Sequence, residues 1–186
     1  MKALILSCAL FCGFGAFAQD YGITAGFHSS NASTTTVSSG SEFGFRAGIA
    51  AAFPLTETFK FRTGLIFTQR HFDMTDTVLN TKTVANFDYI DIPVLAQYNF
   101  NENFGLFGGI VAAANVNHSS VSATATPTNI DVGTNPKTLY PLLQIGINGT
   151  FDNMYSIEGY YEMGLGDFAD NAKNFSVFGA NFIYWL

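Results

Sequence analysis

Residues 89–100 read YIDIPVLAQYNF. Ile90, Ile92, Val94, Ala96, Tyr98 and Phe100 occupy one parity of this stretch. Tyr89, Asp91, Pro93, Leu95, Gln97 and Asn99 occupy the other. A period of two marks a β-strand whose two faces meet different surroundings. One face here is oily throughout. The other must house an acid, two carboxamides and a proline, so the decisive question is which face points outward.

The same pattern recurs along the chain. In Glu42–Phe53 (EFGFRAGIAAAF), Phe43, Phe45, Ala47, Ile49, Ala51 and Phe53 alternate with Glu42, Gly44, Arg46, Gly48, Ala50 and Ala52. In Phe59–Arg70 (FKFRTGLIFTQR), Phe59, Phe61, Leu65 and Phe67 oppose Lys60, Arg62, Gly64, Thr68 and Arg70. Eight such segments are expected, over residues 20–28, 42–53, 58–71, 86–100, 103–116, 138–151, 154–165 and 175–186. Short turns fall at 54–57, 101–103 and 152–153. Longer segments rich in Ser, Thr, Asn and Asp fall at 29–41, 72–85, 117–137 and 166–174. Short and long connections therefore alternate, which sorts them to opposite ends of a closed meander. The predicted fold class is all-β: an eight-stranded antiparallel transmembrane β-barrel of up-and-down topology.

Charge placement decides the orientation. Arg46, Lys60, Arg62, Arg70, Asp91, Glu158 and Glu162 all lie on the parity opposite the oily rows. A soluble barrel would have to enclose nearly all of the opposing Phe and Tyr rings, and the interior of an eight-stranded barrel is too narrow for that. Gly44, Gly48, Gly64, Gly105, Gly109, Gly146 and Gly179 share the charged parity and are expected to make room there for long arginines and glutamates. The oily face thus meets lipid and Asp91 faces the lumen, where a partner makes its burial tolerable. Pro93 lacks an N–H, so a bulge or a locally broken ladder is expected beside it. Phe53, Phe59, Tyr98, Phe104, Phe151, Tyr155 and Tyr184 are placed to form interfacial girdles.

Composition agrees. Aromatic residues make up 16% of the 186 residues and charged residues only 12%, yet the mean hydropathy is just +0.21. That balance fits alternating strands and excludes a bundle of membrane helices. Met1–Lys2, the apolar run Ala3–Phe17 and the small-x-small triplet Ala16–Ala18 read as a signal peptide over residues 1–18. The barrel domain then spans 19–186, a single unit with no linker or second composition zone. The alternatives at the N-terminus are an uncleaved anchor, for which the run is short, and a lipidated cysteine. Cys8 and Cys12 lie inside the leader, so the processed chain carries no disulfide. Loss of Lys2 takes the net charge from −6 to −7, and no basic patch suggests nucleic acid.

The whole processed chain resembles the small outer-membrane β-barrel family of Gram-negative bacteria, including the group called PorT-like. In that group a tyrosine-x-acid-isoleucine-proline strand like Tyr89–Pro93 is frequent. The terminal row Phe178, Ala180, Phe182, Tyr184 and Leu186 resembles the strand signal read by barrel-assembly machinery, although that signal usually ends in Phe. The resemblance implies an eight-stranded barrel in the outer membrane and no defined activity. Outer-membrane lipid, the assembly machinery and an extracellular partner of the loops are the expected contacts. No peptidoglycan-binding domain is expected after Leu186.

Candidate chemistry is sparse. Arg46, Lys60, Arg62 and Arg70 are expected to pair with Glu42, Asp91, Glu158 and Glu162 in a network that fills the lumen, or in a gated ion path. Glu158 and Glu162 share a strand face roughly 13 Å apart, too far for a glycosidase-type pair. His28, His71 and His118 are expected at the outer rim, on alternate strands roughly 10 Å apart, so they make a poor metal site and no cofactor is expected. His118–Ser119–Ser120 supplies the residue types of a lipid-A deacylase without evidence of geometry. The expected role is non-enzymatic, structural or surface-interacting. The alternatives are a narrow channel for small solutes and a lipid-A-modifying enzyme.

Overall fold

A computed structural model describes residues 20–34, 38–76, 81–122, 137–167 and 172–186. The leader assigned to residues 1–18 lies outside the described residues. Eight strands run in chain order: β1 (Asp20–Thr34), β2 (Ser38–Pro54), β3 (Phe59–Asp76), β4 (Thr81–Asn99), β5 (Phe104–Ser122), β6 (Leu139–Phe151), β7 (Tyr155–Gly164) and β8 (Ala172–Trp185). Each pairs antiparallel with its chain neighbour, and β1 pairs with β8 to close the barrel. Closure leaves no sheet edge, so the backbone groups of these strands can be satisfied without water.

The side chains alternate as the sequence pattern requires. Along β4, Asp91, Pro93, Leu95 and Gln97 are buried while Ile92, Val94, Ala96 and Tyr98 are exposed on the outer wall. Ile23, Ile49, Ile110, Ile145 and Ile157 project outward in the same way. This is the arrangement of a protein whose solvent is lipid. Rings crowd the outer wall near the short turns. Phe59 and Tyr98 have centroids 5.0 Å apart, Tyr98 and Phe100 5.4 Å, and Tyr155 and Tyr184 5.5 Å.

The short turns are locally determined. Asp152 and Asn153 have φ of 52° and 55°. Short polar side chains tolerate that left-handed conformation best among non-glycine residues. The Met154 N–H then closes the turn on the Phe151 carbonyl at 3.1 Å. At the 100–103 turn, the Asn101 Oδ1 accepts from the N–H groups of Asn103 and Phe104 at 2.9 and 2.8 Å.

Two features differ from the sequence reading, and one, the second below, selects between its two alternatives. First, the strands run further at the other end: β2 to β5 hold 17–19 residues each, against about 9–11 needed to cross a bilayer. Residues 29–34, 38–41, 72–76, 81–85 and 117–122, polar sequence expected in loops, are strand. Hydrophobic alternation stops at the membrane boundary, but ladder pairing between neighbours does not. Second, the ladder is broken at Pro93 rather than bulged. Paired residues of β3 and β4 run from Thr63↔Val94 to Ile66↔Asp91 and skip Gly64, Leu65, Ile92 and Pro93 without a change of register. The register shift in β4 lies between Asp88 and Tyr89, opposite Val116 of β5. Third, Gly44, Gly146 and Gly179 lie against rings, while Gly48, Gly64 and Gly109 lie against the backbone of the neighbouring strand. A Cβ on Gly179 would stand 2.5 Å from the Tyr160 hydroxyl, and one on Gly44 would stand 2.8 Å from His28 Nε2. On Gly146 it would collide with the Phe107 ring.

The outer wall makes a direct prediction. Ile110 is half-exposed and pairs with Val94 on one side and Leu143 on the other. Ile110→Arg is expected to lower unfolding stability in lipid vesicles by about 2–4 kcal/mol. Unchanged stability would mean that this wall does not meet lipid.

Candidate functional site: the filled lumen

All three arginines of the chain, Arg46, Arg62 and Arg70, point into the lumen and are buried. Alternation places each on the inner parity of β2 or β3. Three acids come to meet them: Asp91 from β4, and Glu158 and Glu162 from β7.

Arg70 is the centre. Its Nη1 and Nη2 donate to Asp91 Oδ1 and Oδ2 at 2.9 and 2.8 Å. This bidentate geometry is the strong form of the arginine–carboxylate pair. Arg70 Nη2 also reaches Glu162 Oε2 at 2.9 Å, and Arg46 Nη1 donates to Glu162 Oε1 at 3.0 Å. Thr68 Oγ1 donates to Asp91 Oδ2 at 2.7 Å. Arg46, Arg70, Asp91 and Glu162 are each at most 1% exposed. One level nearer the short turns, Arg62 pairs with Glu158 and donates to Gln97 Oε1 at 3.0 Å. The buried layer thus balances three positive against three negative side chains.

Rings complete the filling. The guanidinium of Arg46 stands 4.8 Å from the Tyr160 ring centroid and that of Arg70 5.1 Å from Tyr89. Arg62 lies 5.2 Å from Phe107 and 5.8 Å from Trp185. Desolvated cation–π contacts of this kind add attraction where water is excluded. Phe87, Tyr140 and Phe175 are buried in the lumen as well. The sequence reading assigned Phe53, Phe59, Tyr98, Phe104, Phe151, Tyr155 and Tyr184 to the lipid face and assigned no ring a place in the lumen filling. The inner ones share the parity of the charges, and a filled lumen needs apolar volume as well as ion pairs.

The expected network of eight charges therefore separates. Arg46, Arg62, Arg70, Asp91, Glu158 and Glu162 converge. Lys60 instead pairs with Asp20 at 3.2 Å near the short turns, with the two side chains 32% and 41% exposed. Glu42 sits half-buried toward the outer end of β2, opposite Ser30 in register. Of the motif residues, Tyr89 and Asp91 join the layer, and Pro93 lines a space of about 20 Å³ beside Arg46, Arg62 and Glu158. The sequence reading placed Thr68 on the charged face without giving it a role, and passed over Tyr160, Asn181 and Trp185. Parity was the available signal, since each shares the face of a charged or carboxamide neighbour.

The histidines do not meet. His28 is not at the rim but enclosed in the lumen, 1% exposed. His71 Nδ1 lies 3.1 Å from the Phe43 carbonyl, and His118 is exposed. Among the described residues no group of three or more His, Cys, Asp or Glu side chains is arranged to hold a metal ion.

A closed meander with an oily exterior and a charge-compensated interior defines a small transmembrane β-barrel. The chain belongs to the outer membrane protein beta-barrel domain family, which matches residues 17–170, and it resides in the outer membrane. No curated protein matches it in sequence. Among solved structures it is similar to Neisserial surface protein A, with a TM-score of 0.55 at 11% identity over 88% of this chain and 96% of that one. It is also similar to Ail, the attachment invasion locus protein of Yersinia pestis, solved with the heparin analogue sucrose octasulfate. The TM-score there is 0.50 at 13% identity, over 90% of this chain and 98% of that one. At such identities the likeness concerns the fold.

Removing one member of a buried ion pair strands the other, a cost of about 3–5 kcal/mol. Arg70→Met is expected to lose stability on that scale in denaturant unfolding from vesicles. Adding Asp91→Asn is expected to return part of the loss. Strictly additive losses would mean that the two side chains are not coupled.

Proposed function

We propose that the chain is a non-enzymatic outer-membrane barrel whose closed body carries an outer end that engages a partner or a surface. The observation that carries this reading is the layer Arg46–Glu162–Arg70–Asp91. It joins β2 to β7, β3 and β4 across the lumen with side chains that are almost fully enclosed. Conduction needs a continuous hydrated path, and ion pairs packed under Tyr160, Tyr89 and Phe175 favour a plug over a pore. Hydrolysis at the outer leaflet needs a nucleophile within hydrogen-bond reach of a base. His28 is enclosed and His71 faces a backbone carbonyl, while the side chains of Ser119 and Ser120 lie outside the described residues.

The outer segments suggest the kind of partner. Residues 29–41, 72–85, 117–137 and 166–174 are rich in Ser, Thr and Asn and carry five aspartates against three lysines. A sulfated sugar such as the one held by the Yersinia protein would meet a net negative end here, so a neutral or basic surface suits this chain better. For insertion we read the alternating row of β8, continued to Leu186, as the segment that assembly machinery engages.

Planar-bilayer recording tests the closed body. The unmodified protein is expected to give no steady current. The double variant Arg46→Ala/Glu162→Ala, kept only if its unboiled form still migrates faster on gels, is expected to conduct. Steady single-channel conductance from the unmodified protein would overturn the plug and leave the narrow-channel reading in its place.

A further inference from the structure

The outer wall of the barrel is not even. The short turns of an outer-membrane barrel face the periplasm, and beside them β5, β6 and β7 leave a notch of about 410 Å³. Exposed Phe100, Phe104, Ile147, Phe151 and Ile157 rim it, and Gly149 and Gly159 form its floor. Asn148 also borders it but turns its side chain inward, where Nδ2 donates to Thr150 Oγ1 at 3.3 Å. The notch therefore offers an occupant carbon and no polar side chain.

In register, Gly149 lies between Phe104 of β5 and Ile157 of β7, and Gly159 lies between Ile147 of β6 and Ala180 of β8. Large side chains are thus interrupted on two adjacent strands. Packing does not demand the gap. A Cβ on Gly159 would meet nothing closer than Ile147 Cγ1 at 3.9 Å, and one on Gly149 would stand 3.4 Å from the Phe104 ring. Gly26, Gly48 and Gly109 differ, because a Cβ there would run into the backbone of a neighbouring strand. Glycine weakens a strand interior, and one that the packing does not require marks a place where a ligand or another backbone comes close.

Size and position choose between those two. An interface between copies takes about 20–30 residues a side, whereas nine described residues line the notch. Its volume falls within the roughly 300–1,000 Å³ of small-ligand sites. At this height the small apolar group at hand is the acyl chain of a phospholipid in the periplasmic leaflet. A flexible chain can follow a gap between rings, and an unfilled gap forfeits the dispersion contacts of its lining. Charge narrows the head group. β5, β6 and β7 contain no Lys or Arg, and the turns beside the notch expose Glu102 and Asp152. An anionic head group is repelled there, whereas an ammonium meets opposite charge.

We propose that this notch binds one acyl chain of a zwitterionic, amine-headed phospholipid of the periplasmic leaflet, laid over Gly149 and Gly159 between the flanking rings. The site is independent of whatever the outer end engages. It also stands whether or not the lumen conducts.

Native mass spectrometry of the full barrel, released from detergent micelles, reads bound lipid directly. The barrel is titrated with phosphatidylethanolamine and separately with phosphatidylglycerol. One phosphatidylethanolamine is expected to stay bound at concentrations where phosphatidylglycerol does not. Gly159→Leu puts a side chain into the notch and is expected to weaken that retention about tenfold. Gly108→Leu adds the same side chain to the same wall outside the notch, where a Cβ would stand 3.4 Å from its nearest neighbour, and is expected to leave retention unchanged. Phosphatidylethanolamine with a photoreactive diazirine in its acyl chain, added to the unmodified barrel in vesicles, is expected to label β6 and β7 above β2 and β3. That arm carries the test if Gly159→Leu does not fold. Equal retention by folded Gly159→Leu, phosphatidylglycerol held as tightly, or labelling spread evenly around the barrel would each overturn the proposal. So would a dimer that Gly159→Leu dissolves, which would make the notch an interface between copies.

Discussion

Arg70 holds Asp91 with two hydrogen bonds and Glu162 with a third, and so ties β3 to β4 beside it and to β7 across the lumen. The rest of the molecule is arranged around the need to make that contact affordable in energy. A charge inside a lipid-embedded protein has no water to return to. It must be met by an opposite charge and by hydrogen bonds in a fixed geometry. Arginine suits the task because its guanidinium is planar, always charged and able to stack on rings. All three arginines are spent here, whereas Lys60, the lysine with a described ion pair, sits half-exposed near the short turns.

The charge layer and the oily wall depend on the same period of two. A one-residue slip in any strand would send its charges into lipid and its rings into the lumen. Register is therefore fixed from both faces at once. Closure adds a third constraint, since a barrel without an edge cannot shift one strand alone. The interruption beside Pro93 is tolerated under these conditions. The residues that flank it, Val94 and Asp91, keep one common register with β3.

Strand number, topology, orientation and the inward placement of Asp91 and the arginines were legible in the alternation itself. Partner choice was not. Parity puts Lys60 and Glu158 on the same inner face, but only height along the barrel axis gives Lys60 to Asp20 and Arg62 to Glu158. The inner rings were also hidden. Tyr160 reads as one more oily residue until Glu158 and Glu162 on either side of it in parity are seen to point inward. His28 was misplaced at the rim because polar sequence begins at Ser29, whereas the strand runs on to Thr34. Loss of alternation marks where lipid ends, not where pairing ends. Ser/Thr-rich strand beyond the bilayer looks like loop to any reading based on hydrophobicity.

The most direct measurement is hydrogen exchange of the arginine side chains by nitrogen-resolved NMR on the barrel in micelles. With three arginines in the chain, the signals are few enough to assign one by one. The guanidinium protons of Arg46 and Arg70 are predicted to exchange orders of magnitude more slowly than those of free arginine, with Arg62, nearer the periplasmic mouth, faster than either. Exchange of Arg46 and Arg70 at the rate of free arginine would contradict the account, because a lumen open to water at that level cannot be the closed, charge-compensated layer described.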